Sequence, residues 1–206
     1  MNPEAQTCAH EELDRVVGSS RAPDFSDQGR LPYIEACFRE TSRLRPPSNN
    51  GVLHYTTADL CYKDFFIPKD TVVAMNQYAL YYDPARYEDP ERFRPQRFLH
   101  SHVSATSDNK CELPDRWVFG AGRRLCPGMH FAVNSMYIAL AKILWAFEIR
   151  KPLDDFGREI ELDVSYEAYE DGRFTVPRMY RLRFLCRRPE TEAIVQRDWE
   201  QTIDTV

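Results

Sequence analysis

Phe119-Gly120-Ala121-Gly122-Arg123-Arg124-Leu125-Cys126-Pro127-Gly128 carries one cysteine to the start of a long apolar segment. The thiolate, not the thiol, is the form that binds metal. Two features of this stretch favour the anion: the positive end of the helix expected after Gly128, and the adjacent Arg123 and Arg124. Gly120 and Gly122 permit backbone angles and close approach that residues with a Cβ resist, and Gly128 is expected to leave room beside the sulfur for something flat and large. The commonest fate of a free cysteine is burial as a small hydrophobe, and an isolated Gly-x-Cys-x-Gly would be read that way. Ten positions agreeing in order, with a helix pattern behind them, point instead to a ligand.

The other cysteines stand at 8, 37, 61, 111 and 186. None forms a Cys-x-x-Cys zinc or redox pair, and reduced thiols are expected. One cysteine with an arginine two positions before it fits haem iron, whose carboxylates need a cation, better than zinc. The segment resembles the haem loop of the cytochrome P450 monooxygenases, Phe-x-x-Gly-x-Arg-x-Cys-x-Gly, met here by Phe119, Gly122, Arg124, Cys126 and Gly128. The resemblance implies haem b with the Cys126 thiolate as axial ligand and Phe119 shielding the sulfur. It also implies that Arg124 and His54 meet the haem propionates, with the Trp117 indole as a further candidate at that edge. Bound dioxygen would be activated on the cofactor, and one oxygen atom inserted into a small lipophilic organic substrate. Electrons would come from an NADPH-dependent reductase.

The elements that must position this loop follow from pattern. Asn2-Pro3-Glu4 reads as a helix start with Asn2 as cap, running to Val17 and stopped by Gly18. A second helix spans Ile34 to about Arg45, stopped by Pro46-Pro47. Residues 52–57 and 71–75 read as strands joined through a hairpin around Tyr62 to Pro68. Residues 76–118 hold four prolines and polar runs such as Ser101–Lys110, which suggests an ordered meander plus an exposed loop. Met129 to Phe147 is apolar but interrupted by His130, Asn134, Ser135 and Lys142, so it reads as a core helix and not a membrane span. Glu148–Arg150 and the alternation from Tyr180 to Leu185 suggest a small terminal sheet.

Glu40 and Arg43 lie at i and i+3 on the second helix, where a lone pair is ordinarily a solvated surface pair of small worth. Their position before Pro46-Pro47, with Phe93-Arg94-Pro95-Gln96-Arg97-Phe98-Leu99 downstream, resembles the family's Glu-x-x-Arg helix and meander. The resemblance implies a buried structural triad of Glu40, Arg43 and Arg97. Pro90-Glu91-Arg92-Phe93 spells the meander motif literally, but Arg97 has the better frame.

The composition is that of a soluble globular chain, 43% hydrophobic and 29% charged over 206 residues. A net charge of -5 gives no footing for nucleic acid. The first residues show no basic and apolar run, so no signal peptide is expected there. The resemblance covers essentially all residues and is of the fungal microsomal style. It implies a mainly α fold with small β-sheets (α+β), in which residues 1–206 form the carboxy-terminal part of one domain. A full-length relative would sit on the cytosolic face of the endoplasmic reticulum membrane. The family's central oxygen-activating helix and membrane anchor are expected before residue 1. The alternative is therefore a truncated non-catalytic fragment or a haem-binding module without turnover. Asn49 and Leu53 depart from the usual prolines, Asp70 from a turn glycine, and the Tyr169–Phe174 hairpin from its usual composition.

Overall fold

The computed structural model describes residues 2–99, 114–170, 172 and 174–203. The polar run Ser101–Lys110, together with Asp171 and Arg173 of the terminal hairpin, lies outside the described residues.

Three helices form the main core. Helix α1 (Pro3–Val16) starts on a proline, whose missing amide costs nothing in a first turn. The Asn2 side chain makes no capping bond, contrary to its expected role. The helix ends as its pattern requires: Gly18 takes φ +76°, and the amides of Val17 and Gly18 both donate to the Leu13 carbonyl. Helix α2 (Pro32–Leu44) has no capping side chain of its own. Its first amides are satisfied from α1 instead, where the buried Glu12 carboxylate accepts from Tyr33 N at 2.9 and 3.0 Å and from Ile34 N at 3.1 Å. Burial pushes the Glu12 carboxyl above its ordinary range, and these two amides pull the other way.

Helix α4 (Met129–Ala146) packs on α1 and α2 through Tyr137, Ala141, Leu144 and Trp145, against Ala9, Leu13 and Ile34. The Trp145 indole N–H donates to the Gly18 carbonyl at 2.8 Å, which fixes the end of α4 against the end of α1. The expectation of a core helix holds for one side only. Phe131 is 79% exposed, and Met136 and Ile143 also face outward. No helix of the described residues is long and apolar enough to cross a membrane.

The strands are short and all antiparallel. β1 (His54–Tyr55) pairs with β4 (Val72–Val73), and between them β2 (Leu60–Tyr62) pairs with β3 (Phe65–Ile67). The strands read over 52–57 and 71–75 are thus cut to two residues each. The chain enters β4 through Asp70, which adopts φ +62°, a conformation that aspartate tolerates better than most residues and glycine better still. β5 (Phe147–Arg150) follows α4 directly and pairs with β6 (Arg183–Cys186), the expected terminal sheet.

Two helices fall where the periodicity gave no helix. α3 (Gln77–Tyr81) is a single capped turn, with the Asn76 side chain accepting from Ala79 N at 2.9 Å. α5 (Thr191–Ile203) docks on the core through Ile194. The architecture is helices with small separate sheets, α+β.

Candidate functional site

The cysteine loop is shaped by its own backbone. Cys126 N donates to the Phe119 carbonyl at 2.9 Å, closing the stretch into a hairpin, and Leu125 N donates to Gly122 O at 3.2 Å. Gly120 at φ +81° and Gly122 at φ +64° occupy the left-handed region, so both glycines are required by conformation. Gly128 is different. Its φ is −85°, and a Cβ there would lie 3.9 Å from the Cys126 sulfur, an ordinary contact. Nothing among the described residues demands glycine at 128. Met129 N, the first amide of α4, donates to the Cys126 carbonyl at 3.3 Å, so the helix start engages the cysteine backbone.

Cys126, Arg124, Gly122 and Gly128 are all exposed on one outward-facing loop, and Phe119 is half-buried at its base. Phe119 and Val118 line a cleft of about 220 Å³ with Phe38 and Arg39 of α2 and Met129 of α4. His54 lies exposed on β1 opposite Val73, and no hydrogen bond or ion pair among the described residues ties it to the loop. Cys37 is a contrasting thiol. Burial first, then the Glu12 charge, pushes it up to about 12, so it stays protonated and inert.

The donor chemistry tests whether haem suits these residues. Among the described residues no group of three or more His, Cys, Asp or Glu side chains could hold a bare ion. An exposed sulfur on a fixed loop, with a guanidinium two positions away, fits a metal that brings its own equatorial ligands and carries carboxylates. That is the donor set a haem needs from the protein.

What holds the loop in place is a network running back to α2. Glu40 and Arg43 are fully buried, which removes the surface reading of this pair. The Glu40 carboxylate accepts from Arg43 Nε at 2.7 Å and Nη2 at 2.9 Å, from Arg97 Nε at 3.2 Å, and from the backbone N–H of Arg94 at 2.8 Å. Arg97 also donates to the carbonyls of Glu88, Asp89 and Arg92. The Arg92 side chain is exposed, and only its carbonyl joins the network.

Arg43 carries the network onward by donating to the Tyr81 carbonyl at 2.9 Å. Tyr81, fully buried, accepts from Val118 N at 2.8 Å through its hydroxyl. Gln77, one turn earlier on α3, donates from Nε2 to the Trp117 carbonyl at 2.5 Å. Two side chains of one short helix therefore grip the backbone immediately before Phe119. Sequence reasoning missed both. The available signal was Asn76 as a cap, but a five-residue helix has too few turns to show periodicity.

Comparison with known proteins identifies the family. The family model "Cytochrome P450" matches residues 1–164. Cytochrome P450 monooxygenase pgmC of Aspergillus terreus is 46% identical over 97% of this chain and 38% of its own length. Cytochrome P450 monooxygenase verL of Clonostachys rogersoniana is 41% identical over 97% of the chain and 37% of its own length. A zebrafish cytochrome P450 solved with abiraterone superposes with a TM-score of 0.72 at 28% identity, covering 90% of this chain and 40% of that one. The chain thus spans under two fifths of the length of these curated relatives. With a cysteine loop gripped by α3 and the buried carboxylate–arginine network behind it, and with the match running through residue 164, the chain belongs to the cytochrome P450 family.

Proposed function

We propose that these residues form the cysteine-bearing part of a haem-thiolate monooxygenase that inserts one oxygen atom of O2 into an organic substrate. The observation that carries this reading is one exposed cysteine, Cys126, on a loop closed by its own backbone hydrogen bond to Phe119. The names of the relatives support it, since those cited are monooxygenases. Cys126 would hold the iron of haem b as a thiolate, and Arg124 and His54 would face the propionates. When bound, the haem would supply the dioxygen activation that an electron-rich thiolate ligand promotes.

The chain's own residues do the rest. Phe119, half-buried at the base of the loop, would shield the sulfur once the haem is bound. Gly120 and Gly122 permit the loop's left-handed turns, and the Cys126 N–H bond to the Phe119 carbonyl closes it, so the ligand is positioned before the cofactor arrives. Gln77 and Tyr81 fix the backbone at 117 and 118. Glu40, Arg43 and Arg97 hold α3 and the meander as one unit. The reading further includes a small lipophilic substrate, an NADPH-dependent reductase as electron donor, and residence at the cytosolic face of the endoplasmic reticulum.

A second reading, haem binding without turnover, is favoured by the open exposure of Cys126 and Arg124 in this chain. The first experiment addresses ligation. The haem-loaded, reduced and CO-exposed chain should show the red-shifted Soret band of thiolate ligation, and Cys126→Ser should lose it. An unchanged band in that variant refutes the assignment. NADPH consumption coupled to product, measured with a reductase present, then separates the two readings.

A further inference from the structure

Asn50-Gly51 is the one asparagine–glycine step in the chain; the asparagines at 2, 49, 76, 109 and 134 precede proline, asparagine, glutamine, lysine and serine. Glycine carries no Cβ to shield its own amide nitrogen, so that nitrogen approaches a preceding asparagine side chain with least obstruction. The structure keeps the pair available. The Asn50 side chain is exposed, and neither it nor the Gly51 N–H makes a hydrogen bond among the described residues. Other asparagines are engaged. Asn76 accepts from Ala79 N, and the amide that follows it donates to the Met75 carbonyl. Asn134 lies within α4 and accepts from Gln28 Nε2 at 3.2 Å. Gly51 itself is fixed by conformation, because φ is +62° there and a larger residue would be strained.

Both flanks of Asn50 are anchored. The Asn49 carbonyl accepts from Tyr78 N at 3.1 Å, and the Gly51 carbonyl accepts from Ser48 Oγ at 3.2 Å. Gly51 also lies against α3, where a Cβ added to it would stand 3.5 Å from Gln77 Nε2. The same Nε2 holds the Trp117 carbonyl.

We infer that Asn50 is a site of spontaneous deamidation and that its conversion loosens the backbone before Phe119. The Gly51 nitrogen bonds to Asn50 Cγ and gives up its proton; the Cγ–Nδ2 bond breaks, and ammonia leaves with that proton. Solvent water then opens the cyclic imide. Cleavage between Cγ and the nitrogen gives aspartate, and cleavage between the Asn50 main-chain carbonyl carbon and the nitrogen gives isoaspartate. No oxidant or reductant takes part. Either product adds a negative charge to a chain that already carries -5. Isoaspartate also lengthens the main chain by one methylene between two anchored residues, so Gly51 shifts against Gln77 and disturbs its bond to the Trp117 carbonyl. The inference concerns the polypeptide alone and does not rest on the monooxygenase reading.

The test incubates the 206-residue chain at neutral pH, folded and, in parallel, unfolded in urea. Proteolytic fragments are then sequenced by mass spectrometry, and isoaspartate is labelled with an isoaspartyl methyltransferase. Asn50 should convert in the folded chain at a rate comparable to that in urea, while Asn49, Asn76 and Asn134 keep their amides. Gly51→Ala should slow the conversion, and Asn50→Ser should remove the label; the serine variant serves where Gly51→Ala loses the native circular dichroism. An Asn50 that stays intact in the folded chain while the unfolded chain converts overturns the site, as does conversion at Asn49 in its place or label that persists in Asn50→Ser. Hydrogen exchange reads the link to the loop. Amides 117–119 should exchange faster in the isoaspartate fraction than in the unconverted one, and equal exchange overturns that link.

Discussion

Arg97→Ala should destabilise the chain substantially, and Arg92→Ala should not, although the two arginines sit five residues apart in similar local sequence. Arg97 is 12% exposed at its side chain, and its guanidinium makes one bond to the Glu40 carboxylate and three to main-chain carbonyls. Removing one partner of a buried charge network costs about 3–5 kcal/mol. The lower end applies here, because Glu40 keeps Arg43 and the Arg94 amide. About 3 kcal/mol in a chain of this size lowers the midpoint of thermal unfolding by roughly 6–12 °C. Arg92 contributes only its carbonyl, which alanine retains, so its loss should stay within about 0.5 kcal/mol. Glu40→Gln should be worse than Arg97→Ala, at about 3–5 kcal/mol, because it leaves the fully buried Arg43 cation without its anion. Thermal and urea unfolding followed by circular dichroism give all three values. Equal losses for Arg92→Ala and Arg97→Ala would refute the reasoning, as would an Arg97→Ala protein as stable as the wild type.

The loop glycines should separate by role. Gly122→Ala meets no steric obstacle but is forced to φ +64°, and should cost about 1–2 kcal/mol of chain stability. Gly128→Ala should leave stability unchanged and weaken haem capture, measured by Soret titration; unimpaired capture would remove the functional reason for that glycine. Gln77→Leu strands the Trp117 carbonyl and should cost about 1–3 kcal/mol, with faster amide exchange at residues 117–119 as the local readout. Two carboxyls should shape the pH dependence in opposite senses. The Arg21 guanidinium holds Asp27 below the ordinary carboxylate range, so its stabilisation is present above that range and lost as pH falls through the lowered value. Asp27→Asn should flatten the acid arm of the unfolding curve. Glu12, raised by burial, contributes stability that is full below its unfolded range and declines as pH rises through its folded value. Glu12→Gln should remove that decline.

Local pattern was enough for the parts of this molecule whose cause is local. Pro3, Gly18 and Pro46 bound helices because proline lacks an amide donor and glycine tolerates a positive φ, wherever the chain folds around them. The cysteine loop was legible for the same reason, since Gly120 and Gly122 encode its turns and the family motif runs through them. Local pattern could not show that Glu40 and Arg43 are fully buried, because an i, i+3 pair reads alike on a wet and a dry helix face. Only the packing of the meander over α2 excludes water there and supplies Arg97 from 57 residues away. Nor could it show α3, a helix of five residues that exists because Gln77 and Tyr81 have backbone to bind at 117 and 118. Asn2 failed as a cap, while the amides of α2 found theirs in Glu12, 21 residues upstream of Tyr33. A buried donor or acceptor is satisfied by whichever group the tertiary fold brings within reach, and that proximity is written in no single segment of the chain.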